Sequence, residues 1–140
     1  MSPSLTYSAA GHWRDALELW EWAIKRERWG WISYFYHGQL LLAHGDSAAA
    51  LVDFEEVIVR GGKGPWVYFH LELAHAAMGN FAAALEPCRQ AIAQPPSVTL
   101  FHQELARAYE ELGRKTESEQ ERQIAQKLMS GGTSGTQTRP

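Results

Sequence analysis

Residues 45–58 read GDSAAALVDFEEVI and residues 79–92 read GNFAAALEPCRQAI, so one pattern returns after 34 residues. The repeat extends to both sides, because glycines at this spacing stand at Gly11, Gly45, Gly79 and Gly113. Five residues after each glycine the chain has a small side chain, at Ala16, Ala50, Ala84 and Ser118. Agreement at several offsets indicates four copies of one structural unit.

Local signals predict that each unit is a pair of helices joined at the glycine. Asp46 and Asn80 are suited to cap a following helix, and the glycine before each takes the positive φ that ends the preceding one. The runs 61–65 and 95–96, rich in glycine and proline, cannot continue a helix. The sequence predicts helices near residues 3–10, 13–27, 31–44, 47–60, 66–78, 81–94, 98–112 and 115–129.

A period of 34 with this glycine and small residue resembles the tetratricopeptide repeat, a helix–turn–helix unit. The resemblance covers roughly residues 11–128 and is strongest in the middle two units. The proline that usually closes a unit is matched by Pro96 alone. The resemblance implies an all-α fold, a right-handed α-solenoid of stacked antiparallel helix pairs. It would form one domain over residues 1–129 with an incomplete first unit, followed by a disordered tail at 130–140.

The resemblance also implies a partner-binding face, found 13, 10, 6 and 3 residues before each glycine. The residues expected to contact a partner in this groove are Ile32, Phe35, Gln39 and Leu42, then Trp66, Phe69 and Leu73, then Leu100, Gln103 and Arg107. Because the set is mainly apolar, we expect a protein or peptide segment to cover it. The alternative is that Trp66 and Phe69 are core residues. Lysine and asparagine are missing from the face, so a carboxylate clamp is not expected.

Three tryptophans near the first unit are hard to place in the core of the chain. These are Trp22, Trp29 and Trp31. We expect them to form an interface, either with a missing repeat or with a second copy in a homodimer through the N-terminal end.

Composition argues against several kinds of partner and location. The net charge is −3 and the basic residues are scattered, so nucleic acid is not an expected partner. No apolar run approaches the ~20 residues of a membrane span, so no membrane association is expected. The chain has one cysteine, Cys88, and no visible signal peptide, which together favour the cytoplasm.

The sequence shows no pattern typical of an enzyme. Among the six histidines, His70 and His75 are five residues apart, which places them on different helix faces and argues against a metal site. We expect Cys88 to be a small buried hydrophobe. No phosphate-binding loop or catalytic carboxylate pair is present, so neither catalysis nor a cofactor is predicted. The roles of Glu72 and Pro87 are left open.

Two narrower functions also remain open. Residues 65–70, PWVYFH, weakly resemble chaperones of the type III secretion kind, which cover hydrophobic segments of secreted proteins. The incomplete first unit also fits a non-catalytic docking or regulatory segment of a larger enzyme, for example a glycosyltransferase.

Overall fold

The computed structural model describes residues 12–94 and 98–137, and every regular element within them is an α-helix. The chain divides into two compact units, residues 1–63 and 64–140. The first contains α1 (Trp13–Lys25), α2 (Trp31–Ala43) and α3 (Ser47–Val59). The second contains α4 (Pro65–Ala77), α5 (Phe81–Ala93), α6 (Thr99–Glu111) and α7 (Lys115–Gln137). The predicted all-α repeat fold is confirmed.

The turn glycines end their helices as predicted. Gly45, Gly79 and Gly113 have φ of 91°, 76° and 80°, a region that only glycine enters at low cost. In each turn the next N–H donates back to the helix, as in the 2.8 Å bond from Asp46 N to Leu41 O. These bonds satisfy carbonyls that the end of a helix leaves free. The Asp46 side chain caps α3 by accepting from Ala49 N at 3.3 Å. The predicted cap at Asn80 is wrong, because that side chain makes no capping hydrogen bond.

Consecutive helices pack against one another within each unit. The small residues five positions after the glycines are all buried, at Ala16, Ala50, Ala84 and Ser118. A large side chain at any of these buried positions would push neighbouring helices apart. The small residues therefore permit the close packing of each helix pair.

The first unit is centred on Phe54, which is fully buried. Its ring contacts Phe35 with centroids 6.1 Å apart. A Cβ placed on Gly38 would lie 2.7 Å from Phe54 Cε1, so α2 needs a glycine where this ring crosses it. Gly62 is similarly constrained, since a Cβ there would lie 2.5 Å from Val57 Cγ1 and 2.9 Å from Trp31 Cδ2. These two glycines therefore make room for large side chains that pack within the unit.

The second unit contains two connected apolar clusters. One joins Phe69 of α4, Ala91 of α5 and Phe101 of α6, with the two phenyl centroids 5.1 Å apart. The other consists of residues from α5 and α6: Leu85, Cys88, Leu105, Ala108 and Tyr109. Pro87 is buried within α5, where it removes one backbone hydrogen bond of the helix. The clusters fix α4, α5 and α6 as a packed group.

The two ends of the chain differ from the sequence prediction in what the structure describes. The predicted helix at residues 3–10 lies outside the described residues, as do residues 138–140. The helix α7 continues to Gln137, so residues 130–137 are helical where the sequence predicts a disordered tail. Adding residues to an existing helix requires no new nucleation step. Residues of low helix propensity can therefore continue a helix that residues of higher propensity have begun.

Candidate functional site

The predicted binding face of the second unit begins on α4. Trp66 is 47% exposed, and its ring makes an edge contact with Phe69 at 5.4 Å and with Phe101 at 5.0 Å. Leu73 is partly buried against the same cluster. Phe69 itself is only 5% exposed, so it lies in the core, where its ring packs against that of Trp66. The face therefore presents Trp66 as a half-exposed ring on a rigid base, and Phe69 is not available for direct contact.

The adjoining helix, α6, presents a mixed face. Leu100, Gln103 and Arg107 are exposed and recur at three- and four-residue spacing, which places them on one side of the helix. Arg107 Nη1 lies 4.0 Å from Glu104 Oε1, a loose ion pair that leaves most of the guanidinium in solvent. A pocket of about 350 Å³ adjoins Gln103 and is lined mainly by α7, namely by Arg122, Ala125, Gln126 and Met129. This pocket was not predicted, because its lining comes from the polar last helix.

The predicted face of the first unit lies on α2. Ile32 is exposed, whereas Phe35, Gln39 and Leu42 are partly buried. Phe35 contacts Trp31 at 6.0 Å and Tyr36 at 5.8 Å between ring centroids. The first unit thus offers Ile32 as its accessible apolar side chain on this face, with Phe35 held among other rings.

The three N-terminal tryptophans have different surroundings. Trp29 is 55% exposed and makes an edge contact with Trp20, 5.9 Å away, which is itself stacked on Tyr36. Trp22 is also exposed and has the guanidinium of Arg26 4.9 Å from its ring centroid. Trp31 packs against Gly62 within the unit. Two of the three predicted interface residues are therefore accessible, and Trp31 belongs to the packing of its own unit.

Two histidines in the helix contacts, His37 and His102, are paired with carboxylates. His37 of α2 has Nδ1 2.5 Å from Asp53 of α3 and Nε2 3.3 Å from Glu21 of α1. Burial opposes the charged imidazole, but the hydrogen bonds and charges of Asp53 and Glu21 outweigh it and raise the pKa of His37. His102 of α6 has Nδ1 2.8 Å from Glu121 of α7. Within residues 12–94 and 98–137, no group of three potential ligands is arranged to hold a metal ion.

Cys88 has the inert environment predicted for it. The thiol is fully buried and donates to the carbonyl of Phe101 at 3.2 Å. Burial and, after it, the charge of Glu72 raise the pKa of this thiol. Since the thiolate is the reactive form, this arrangement does not support nucleophilic chemistry at Cys88.

The fold is similar to that of MamA proteins. The chain superposes on a crystal structure of MamA with a TM-score of 0.84 at 21% identity, covering 92% of this chain and 75% of that one. Residues 41 to the end of MamA from Desulfovibrio magneticus RS-1 give a TM-score of 0.83 at 16% identity, with 91% and 72% covered. MamA AMB-1 gives 0.81 at 21% identity, with 91% and 75% covered. At these identities the likeness shows the fold alone. A search of curated proteins found no match.

None of the helices in the described part of the chain has the length and apolar character needed to cross a membrane.

The sequence matches the tetratricopeptide repeat family over residues 4–65 and 73–127, which is well over half of the chain. Proteins with this repeat generally act as scaffolds for contacts between proteins and not as enzymes. The match spans both units and agrees with the helix pairs described above. The chain belongs to the tetratricopeptide repeat family.

Proposed function

We propose that the second unit binds a segment of another protein across α4 and α6, with Trp66 as the central anchor. The observation that carries the proposal is the exposure of this indole while its edge rests on Phe69 and Phe101. A fixed aromatic side chain loses little conformational freedom on binding, which is why tryptophans dominate many interfaces.

The neighbours of Trp66 define the chemistry of the partner. Leu73 and Leu100 extend the apolar surface, so an apolar side chain of the partner would pack there. Gln103 and Arg107 add hydrogen-bond donors on the α6 side. A segment with an apolar residue next to a carboxylate or a free carbonyl group meets both requirements. On α2 of the first unit, Ile32 is the exposed member of the corresponding stripe, whereas Phe35, Gln39 and Leu42 are partly buried and offer less surface to a partner.

The test is selection of peptides from a random display library, followed by measurement of their affinity by fluorescence anisotropy. We expect Trp66→Ala to weaken binding at least about 30-fold, the loss typical of a central interface tryptophan. Met78→Ala is the matched control, since Met78 is 46% exposed and lies at the opposite end of α4 from Trp66, outside both proposed interfaces. Equal binding by the wild type and Trp66→Ala would refute the proposed site.

We further propose that the first unit associates with a second copy through Trp22 and Trp29. Trp29 supports this, because it is exposed and has φ of 61°, a conformation that costs about 1–2 kcal/mol for a side chain of this size. Light scattering after size-exclusion chromatography should give twice the mass of one chain, and Trp29→Ala should reduce it to one. A wild-type monomer at every concentration would rule out the dimer.

The two narrower functions make the same use of the α4–α6 surface. A chaperone of the type III secretion kind would hold a hydrophobic segment of a secreted protein on it, and a docking segment would hold a substrate protein for an attached enzyme. Co-purification with a hydrophobic secreted protein would favour the first. Further domains in the full reading frame would favour the second.

A further inference from the structure

Glu72 of α4 is a glutamate in the interior of the second unit. It is only 1% exposed, and neither of its carboxyl oxygens has a hydrogen-bond partner among the described residues. The equivalent positions of the other repeats hold Gly38 and Ala106, which are also buried but carry no charge. A carboxyl group has therefore replaced a small residue between packed helices without acquiring donors.

A second carboxyl group lies near it on α6. Glu104 Oε1 is likewise buried without a hydrogen-bond partner in the described part of the chain, although its side chain is 19% exposed. The two helices are in contact close by, since the rings of Trp66 and Phe69 both touch Phe101. The two carboxyl groups thus lie on the two helices that carry the proposed binding surface.

The surroundings cannot stabilise two negative charges. From α5, Glu72 faces Cys88, whose thiol is neutral, and from α6 it faces Glu104 and the mostly solvated Arg107. Glu121 of α7, which also acts on Cys88, adds negative charge. Burial and, after it, the charge of Glu104 raise the pKa of Glu72 to about 8, with Arg107 opposing the shift.

We propose that the Glu72–Glu104 pair is a proton-dependent latch: a proton on Glu72 keeps α4 packed against α6, and its loss in mildly alkaline solution loosens this packing. The stability of the unit alone is enough to test the latch. Its consequence for the bound segment rests on the proposed function, since Trp66, Leu100 and Arg107 are carried by the same two helices.

The direction of the pH effect follows from the raised pKa. An unfolded chain would ionise Glu72 near its ordinary value of 4.5, whereas the folded chain retains the proton up to about 8. The stabilising contribution is therefore complete below about 4.5, decreases as the pH rises, and is lost once the pH passes about 8. Glu72→Gln keeps the shape of the protonated group and removes this titration.

The experiment compares denaturant unfolding of the wild type and Glu72→Gln at a series of pH values. Between about pH 5 and pH 8, the unfolding equilibrium constant of the wild type should rise up to about tenfold per pH unit relative to that of Glu72→Gln. Glu119→Gln, which removes an exposed carboxylate from α7, should follow the wild type. Parallel curves for the wild type and Glu72→Gln would overturn the latch.

Carbon NMR of the Glu72 carboxyl group in the wild type provides a second measurement that does not depend on a variant folding. We expect a titration midpoint near 8, moving to lower pH in Glu104→Gln as the neighbouring charge is removed. A midpoint near 4.5 would overturn the proposal. Neither measurement uses a bound peptide, so failure of the proposed binding site would leave the result for the latch intact.

Discussion

The two units fill the same place in the repeat with opposite combinations of large and small residues. In the first unit Gly38 lies beneath the buried ring of Phe54. In the second unit the equivalent positions hold Glu72 and Cys88, so the larger side chain has moved from one helix to the other. At this place a glycine is needed because its partner is a phenyl ring, so the repeat constrains the combined volume of the two residues rather than either one alone.

A second pair of equivalent positions differs in polarity. His37 and Asp53 form a hydrogen bond of 2.5 Å in the first unit, whereas the second unit has Leu71 and Pro87, both buried, at the same places. Pro87 still costs α5 one backbone hydrogen bond, but the apolar Leu71 offers no partner for an aspartate at this place. The comparison shows that one backbone spacing accommodates either a polar or an apolar contact between its helices.

The largest loss of stability is expected from Gly38→Glu. This variant introduces the glutamate of the second unit at the equivalent position of the first, opposite the unchanged Phe54. We expect a loss of about 3–5 kcal/mol in the free energy of unfolding, because the side chain overlaps the ring and introduces a buried carboxyl group. Denaturant unfolding measures this loss.

The double variant Gly38→Glu with Phe54→Cys restores the combination found in the second unit. We expect it to recover a substantial part of the lost stability, as coupled neighbouring residues do in a double-mutant cycle. If the two losses simply added, the exchange of volume between the helices would be disproved.

A smaller effect is expected from His37→Leu, which installs the residue of the second unit opposite Asp53. Asp53 loses its partner while remaining buried, so we expect a loss of about 1–3 kcal/mol near pH 6. The raised pKa of His37 means that its contribution is complete below about 6.5 and disappears as the pH rises through the higher folded value. Unfolding measured on both sides of this range should therefore show a smaller difference between wild type and variant in alkaline solution. A difference independent of pH would show that the charge of the imidazole is unimportant.

The smallest effect concerns the ends of α1 and α3, where Glu27 and Gly61 occupy equivalent positions. Glu27 has φ of 51° and Gly61 has φ of 102°, so a glutamate adopts a conformation better suited to glycine. We expect Glu27→Gly to raise the free energy of unfolding by about 0.5–1 kcal/mol. The same substitution at Glu55, inside α3, should lower it by about 1 kcal/mol. Stabilisation at both sites, or at neither, would contradict the role of φ.

The helices and their turns could be predicted because their signals are local. The spacing of Gly45 and Gly79 and the small residues after them depends only on the backbone of each unit, and the structure agrees within a few residues. The side-chain environment could not be predicted in the same way. Whether Trp66 or Phe69 is exposed depends on the position of Phe101, which lies on another helix.

Side-chain contacts between residues far apart in the chain could not be predicted from the sequence either. His37 and Asp53 are 16 residues apart and meet only once α2 and α3 have packed. Glu72 could be recognised as unexpected in its position, but its lack of donors is a property of the assembled core. The sequence placed the candidate binding residues on helices that the structure contains, but which of these residues are accessible had to come from the structure.

The imidazole of His37 touches both the helix before its own and the helix after it. Through Glu21 and Asp53, one side chain joins α1 to the α2–α3 pair by hydrogen bonds at both of its ring nitrogens. Fraying of α1 from that pair must break a directional bond, so amide hydrogens in α1 and α3 should exchange with solvent at linked rates. In a repeat protein each repeat contacts only the adjacent repeats, so segments can unfold separately. A hydrogen-bonded bridge between helices enlarges the segment that unfolds in a single step.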